Sequence, residues 1–117
     1  MLECVENYKG LTVQNARMGE DCLIINFTNG SSIQISDEGQ TCCEYRYMST
    51  DDNPKDLIGG QFISAEIDRY NNFEDDWGEN EQAFLRVAST KGAITVVTHN
   101  RHNGYYGGFC INIKNIS

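Results

Sequence analysis

The strongest constraint on this chain is a period of two in its apolar residues, interrupted by short turn-forming stretches. Cys22-Leu23-Ile24-Ile25-Asn26-Phe27-Thr28 and Ser32-Ile33-Gln34-Ile35-Ser36 place apolar side chains at every second position on either side of Asn29-Gly30. Successive side chains of a strand point to opposite faces, so each segment can bury one face and wet the other. Asn-Gly supplies the positive φ angles that a tight primed turn requires, and the pair is predicted as a hairpin.

The same period predicts strands at 11–18, 61–67, 83–88, 93–98 and 109–113, and admits another at 42–48. Thr90-Lys91-Gly92 turns the second hairpin, between 83–88 and 93–98. Asn53-Pro54-Lys55-Asp56-Leu57-Ile58-Gly59-Gly60 predicts one short helical turn, with Pro where a first turn tolerates it and Gly-Gly ending it. The stretch 68–80 is acidic, polar and rich in Asn, which predicts a long exposed loop. Seven or so strands in 117 residues imply a mainly β fold, or α+β with one short helix. The expected architecture is an antiparallel roll, sandwich or small barrel. That length suits a single domain over residues 1–117.

Charge is divided along the chain. Residues 37–81 hold thirteen carboxylates against Arg46, Lys55 and Arg69, a net −10, whereas residues 82–117 hold no carboxylate and carry Arg86, Lys91, Arg101 and Lys114. A surface so acidic repels nucleic acid and attracts basic partners, among them proteins that themselves hold nucleic acid. No direct nucleic-acid contact is expected. No stretch is long and apolar enough for a membrane span, and the opening Met1-Leu2-Glu3-Cys4-Val5-Glu6 is acidic where a signal peptide is basic. The expectation is a cytosolic protein away from membranes.

Cys4, Cys22, Cys42, Cys43 and Cys110 are odd in number and contain no Cys-x-x-Cys pair, so reduced structural thiols are expected and no metal site. Gln40-Thr41-Cys42-Cys43-Glu44, then Asp56-Leu57-Ile58-Gly59 and Ala65-Glu66, together with Ala88-Ser89-Thr90-Lys91-Gly92 and Asn103-Gly104-Tyr105-Tyr106, resemble an uncharacterised phage and prophage family. Members of that family read Gln-Asp-Cys-Cys-Glu, Asp-Leu-Ile-Gly and Asn-Gly-Tyr-Tyr, and the resemblance spans about residues 20–113. The pairing of Cys42, Cys43 and Glu44 with Asn103-Gly104-Tyr105-Tyr106 is what makes the resemblance specific. Thr41 stands where the family has Asp, and Asp37 falls near a position where it often has His. The resemblance implies a phage or mobile-element gene and names no activity.

Catalytic signatures are missing: there is no Gly-x-Ser-x-Gly elbow, phosphate-binding Walker loop or His-Glu-x-x-His. Asn72, Glu74 and Asp76 alternate like calcium ligands, but Trp77 occupies the position where the loop needs Gly. No enzyme activity, cofactor or metal is expected. Two binding readings follow. In the first, a host protein with a basic surface is bound by the acidic stretch: Glu66, Asp68, Glu74, Asp75, Asp76, Glu79 and Glu81, with Phe73 and Trp77 as aromatic anchors. An antagonist of a host defence, such as an anti-CRISPR, fits that description. In the second, His99, Arg101, His102, Tyr105 and Tyr106 form a loop that captures a nucleotide messenger through cations and stacking.

Overall fold

A computed structural model of the chain describes residues 5–19, 21–39, 45–76, 78–102 and 108–117. Its strands are β1 (Val13–Gly19), β2 (Cys22–Phe27), β3 (Ser32–Asp37), β4 (Tyr45–Ser49), β5 (Phe62–Asp75), β6 (Gly78–Ser89), β7 (Gly92–His102) and β8 (Ile111–Asn115). Antiparallel pairing sorts them into two sheets, ordered β1-β2-β3-β8 and β4-β7-β6-β5, and neither closes into a barrel. Helical content among the described residues is confined to single 3₁₀ turns at Val5–Asn7 and Pro54–Leu57. The mainly β reading therefore holds, and the barrel is removed from the three architectures considered.

The first predicted hairpin forms between β2 and β3, with Leu23 opposite Ile35 and Ile25 opposite Ile33. Its turn is wider than the expected primed form. The Gly30 amide donates to the Phe27 carbonyl at 3.1 Å, and Gly30 alone of the Asn-Gly pair has positive φ, at 91°. Asn29 instead turns its side-chain oxygen to the Ser31 amide at 3.0 Å, which a negative-φ asparagine can do while glycine supplies the one left-handed residue. The second hairpin joins β6 to β7 with Ser89 opposite Gly92.

At the 3₁₀ turn Pro54–Leu57, the Asn53 side chain accepts from the Lys55 amide at 3.0 Å. Gly60 follows where a β-carbon would fall 2.5 Å from Ser89 Oγ and 2.7 Å from Lys91 N, so only glycine brings this turn onto the β6–β7 connection. From there the chain stitches the sheets together at one seam. Val13 N donates to Gly60 O at 2.8 Å, Gly59 N to Val13 O at 2.9 Å and Phe62 N to Leu11 O at 2.8 Å. Between the sheets, Leu23, Ile25, Ile33 and Ile35 meet Leu85, Val87, Ile94 and Val96, all fully or almost fully buried. Phe27 lies between Tyr8 and Phe62, with ring centroids 5.8 Å away on each side.

The sheets differ in length. A strand rises about 3.3 Å per residue, so β5 alone spans roughly the 45 Å long axis of the molecule, while the strands of the first sheet cover about half of it. One half of the second sheet is thus backed by apolar core and the other half is not. The segment 68–80, expected to be a loop, supplies that other half. β5 continues through it to Asp75 and β6 returns from Gly78, interrupted only by a bulge between Ile67 and Arg69. Ladder bonds to β6, itself backed by β7, override the poor strand preference of Asn and Asp. The expectation of exposure holds for residues 68–76, which all face solvent, but not for the return strand, where Glu79 is half-buried and Asn80 is buried.

Candidate functional site

The uncovered half of the second sheet gathers most of the residues singled out from the sequence, and strand alternation divides them between two faces. β7 carries Ile94, Val96, Thr98, Asn100 and His102 inward, all buried, so its inner face changes from apolar to polar along its length. His99 and Arg101 point to the outer face. The stretch 99–102 was expected in a flexible loop; it is strand because β6 pairs with β7 as far as Glu79 opposite His102. His99 and Arg101 consequently cannot converge with His102 on one ligand. Tyr105 and Tyr106 lie outside the described residues, as do Trp77 and the motif Cys42, Cys43 and Glu44.

On the outer face, Tyr47 stacks on His99 with centroids 4.2 Å apart and planes 5° from parallel. Tyr45 leans on Tyr47 at 5.1 Å, and His99 Nε2 lies 2.9 Å from Ser49 Oγ. Burial beneath Tyr47 holds the His99 imidazole below its usual pKa, because the charged form loses water without gaining a carboxylate. Further along, Arg69 lies over the Phe84 ring at 4.1 Å, and Arg101 meets Asp75 at 3.4 Å.

On the inner face, the Arg46 guanidinium donates to Asp37 at 2.7 Å, and the two side chains are only 7% and 4% exposed. Asp37 also accepts from the amides of Gly39 at 3.1 Å and Cys110 at 3.0 Å, so one carboxylate joins the end of β3, β4 and the approach to β8. Glu81 repeats this arrangement nearby. It accepts from the Gly108 amide at 2.7 Å and lies 3.4 Å from His102 Nε2, while Asn100 Nδ2 donates to the Gly108 carbonyl at 3.2 Å. These bonds take the place of the missing apolar backing. Asp37 and Arg46 were not among the expected site residues. Their signal was weak: two opposite charges at inward positions of β3 and β4, which follow one another in the chain but belong to different sheets.

The acidic residues do not form one patch. Glu66 faces Arg86 across the ladder, Asp68 occupies the bulge, and Asp75 is matched by Arg101. Glu74 and Glu79, by contrast, are directly opposed across β5 and β6, and Glu81 follows on the same face opposite Asn72. Like charges in that position repel, so the ladder keeps them at a cost. Asn72, Phe73, Glu74, Glu79, Asn80 and Glu81 line a hollow of about 260 Å³. Carboxylates dominate it, which suits a cation and opposes a phosphate. Phe73 is half exposed beside it, and Asp76 ends the ribbon in solvent.

Cys22 is buried, and desolvation pushes its thiol pKa up, which makes it a packing residue and a poor nucleophile. Cys110 is exposed. Among the described residues no cluster of three His, Cys, Asp or Glu side chains is arranged to hold a metal ion, and no helix is long and apolar enough to cross a membrane.

Fold and site together define a two-sheet antiparallel β domain with a buried polar network at one end and an acidic two-stranded ribbon beside it. The model of the family described as Domain of unknown function (DUF7448) matches residues 6–111, and the chain belongs to that family. No curated protein and no solved structure matches it.

Proposed function

We propose that this domain works by binding a protein with a basic surface, and that the face of the ribbon bearing Glu74, Glu79 and Glu81 is where the partner docks. One observation carries the reading: Glu74, which is exposed, and Glu79, which is half-buried, stand opposite each other in the ladder, with Glu81, which also meets Gly108 and His102, next in line. A cationic partner relieves that repulsion on binding, and the same charges speed its approach. Phe73, which projects to the other face of β5 but also lines the hollow, supplies an aromatic contact at the rim of the kind that anchors interfaces. The resemblance to phage and prophage proteins extends the proposal to an antagonist of a host defence system, acting without catalysis.

Capture of the tagged protein from host lysate, with and without nuclease, identifies the partner. Association and dissociation are then measured at two ionic strengths. Glu74→Lys with Glu79→Lys is expected to slow association and flatten its salt dependence. Unchanged rates in that variant would place the interface elsewhere. The nucleotide reading has less support, since His99 and Arg101 are on the opposite face from His102 and carboxylates surround the nearby hollow. Calorimetry against cyclic and linear nucleotides tests it, and binding to any of them would reverse this ranking.

A further inference from the structure

We propose that the free edge of β5 is a self-association surface, on which a second copy of this chain pairs antiparallel about a two-fold axis at Asn72. The sheet order β4-β7-β6-β5 leaves β5 at an edge. Among the described residues, only the start of that edge is occupied, by the bridge between Thr12 and Gln61 and the seam around Phe62. Beyond it, the unpaired amides and carbonyls of an edge strand are a template for another strand. Proteins blunt such edges with bulges, and β5 has one between Ile67 and Arg69. Past the bulge the register runs without a break from Arg69 to Asp75, where the chain turns.

That uninterrupted stretch has its centre at Asn72. A two-fold axis normal to the sheet preserves both faces, so residues of equal parity pair, and placing the axis at Asn72 uses the whole stretch. The partners then follow without further choice: Arg69 with Asp75, Tyr70 with Glu74, Asn71 with Phe73, and Asn72 with itself. The symmetric register therefore brings opposite charges together twice, once at each end of the new ladder. Arg69 is suited to this role because it stacks on Phe84 and is within ion-pair distance of no carboxylate among the described residues. Asp75 would lie between Arg101 of its own chain and Arg69 of the second copy.

Sliding the pair by two residues in one direction sets Asp68 against Glu74. Sliding it the other way carries Arg69 and Tyr70 past Asp75, the last residue of β5, and shortens the ladder. Geometry and charge thus select the same register from independent observations. Tyr70 and Phe73, which are 65% and 47% exposed, also gain cover in it. The pairing does not depend on the proposed partner face, where Glu79 and Glu81 belong to β6.

Sedimentation equilibrium of the full chain, from micromolar to millimolar concentration, should show a monomer–dimer equilibrium. Arg69→Glu and Asp75→Lys should each weaken it by about tenfold, since each turns two attractive cross-strand pairs into repulsive ones. An equimolar mixture of the two variants should associate again, because the heterodimer restores Glu with Lys at one end and Asp with Arg at the other. Circular dichroism checks that both variants fold. A parent that stays monomeric throughout, a dimer indifferent to Arg69→Glu, or folded variants that fail to associate on mixing would each overturn the proposal.

Discussion

Replacing Asp37 by Ala tests whether the polar end is held by a buried ion pair or merely decorated by one. The carboxylate accepts from the Arg46 guanidinium and from two backbone amides, with 4% of its side chain exposed. Removing it takes the Asp37 carboxylate from a cation whose side chain is 7% exposed and takes an acceptor from Gly39 and Cys110. Loss of one partner of a buried pair costs about 3–5 kcal/mol, against at most about 1 kcal/mol for a surface pair. At about 4 °C per kcal/mol for a domain of this size, the melting temperature should fall by about 12–20 °C. Asp37→Asn keeps an acceptor oxygen and should lie between Asp37→Ala and the parent. Asp37→Leu with Arg46→Met, which removes both charges, should recover much of the loss. Urea denaturation followed by circular dichroism measures all three. A cost below about 1 kcal/mol for Asp37→Ala would show that water reaches the pair and that the network does not hold the end of the sheet.

Other outcomes follow from the same geometry. Phe62→Ala, at a ring 1% exposed between the sheets, should cost about 3–5 kcal/mol by urea denaturation. Glu74→Lys places a cation opposite Glu79 and should stabilise the free protein by up to about 1 kcal/mol in the same assay, even as it weakens partner binding. His99 has a folded pKa below its unfolded value, so the unfolded chain binds the proton more readily. Stability should be fully present above about pH 6.5 and decline as pH falls from there towards the folded pKa, and thermal melts of His99→Gln should show less of that decline.

Sequence alternation located the apolar half of the molecule well, because there a single rule decides each residue. Leu23, Ile25, Ile33 and Ile35 had to share a face, and Ile94 and Val96 likewise. The hairpin at Asn29-Gly30 was legible, but its width was not, since that depends on whether Asn29 or Ser31 closes the turn. The polar half was misread for a physical reason. Thr98, Asn100 and His102 continue the alternation of Ile94 and Val96 with polar side chains, and a hydrophobic pattern does not register them. Residues 69–75 look like loop because their strand state comes from β6, a partner whose own extension is equally polar. Sheet order was not legible either. The Asp37–Arg46 pair required knowing that β3 and β4 belong to different sheets whose ends meet.

The unequal length of the sheets has a consequence for how the molecule changes over time and over generations. Amides around Leu85, Val87, Ile94 and Val96 are shielded on both sides and should exchange only when the whole domain unfolds. Those from Arg69 to Asp75 have ladder bonds on one side and solvent around their side chains, so they can fray at a fraction of the global free energy. Substitutions there spend little of a narrow stability margin. Recognition chemistry can therefore drift at one end of β5 and β6 while the other end keeps the fold, a division of labour within single strands.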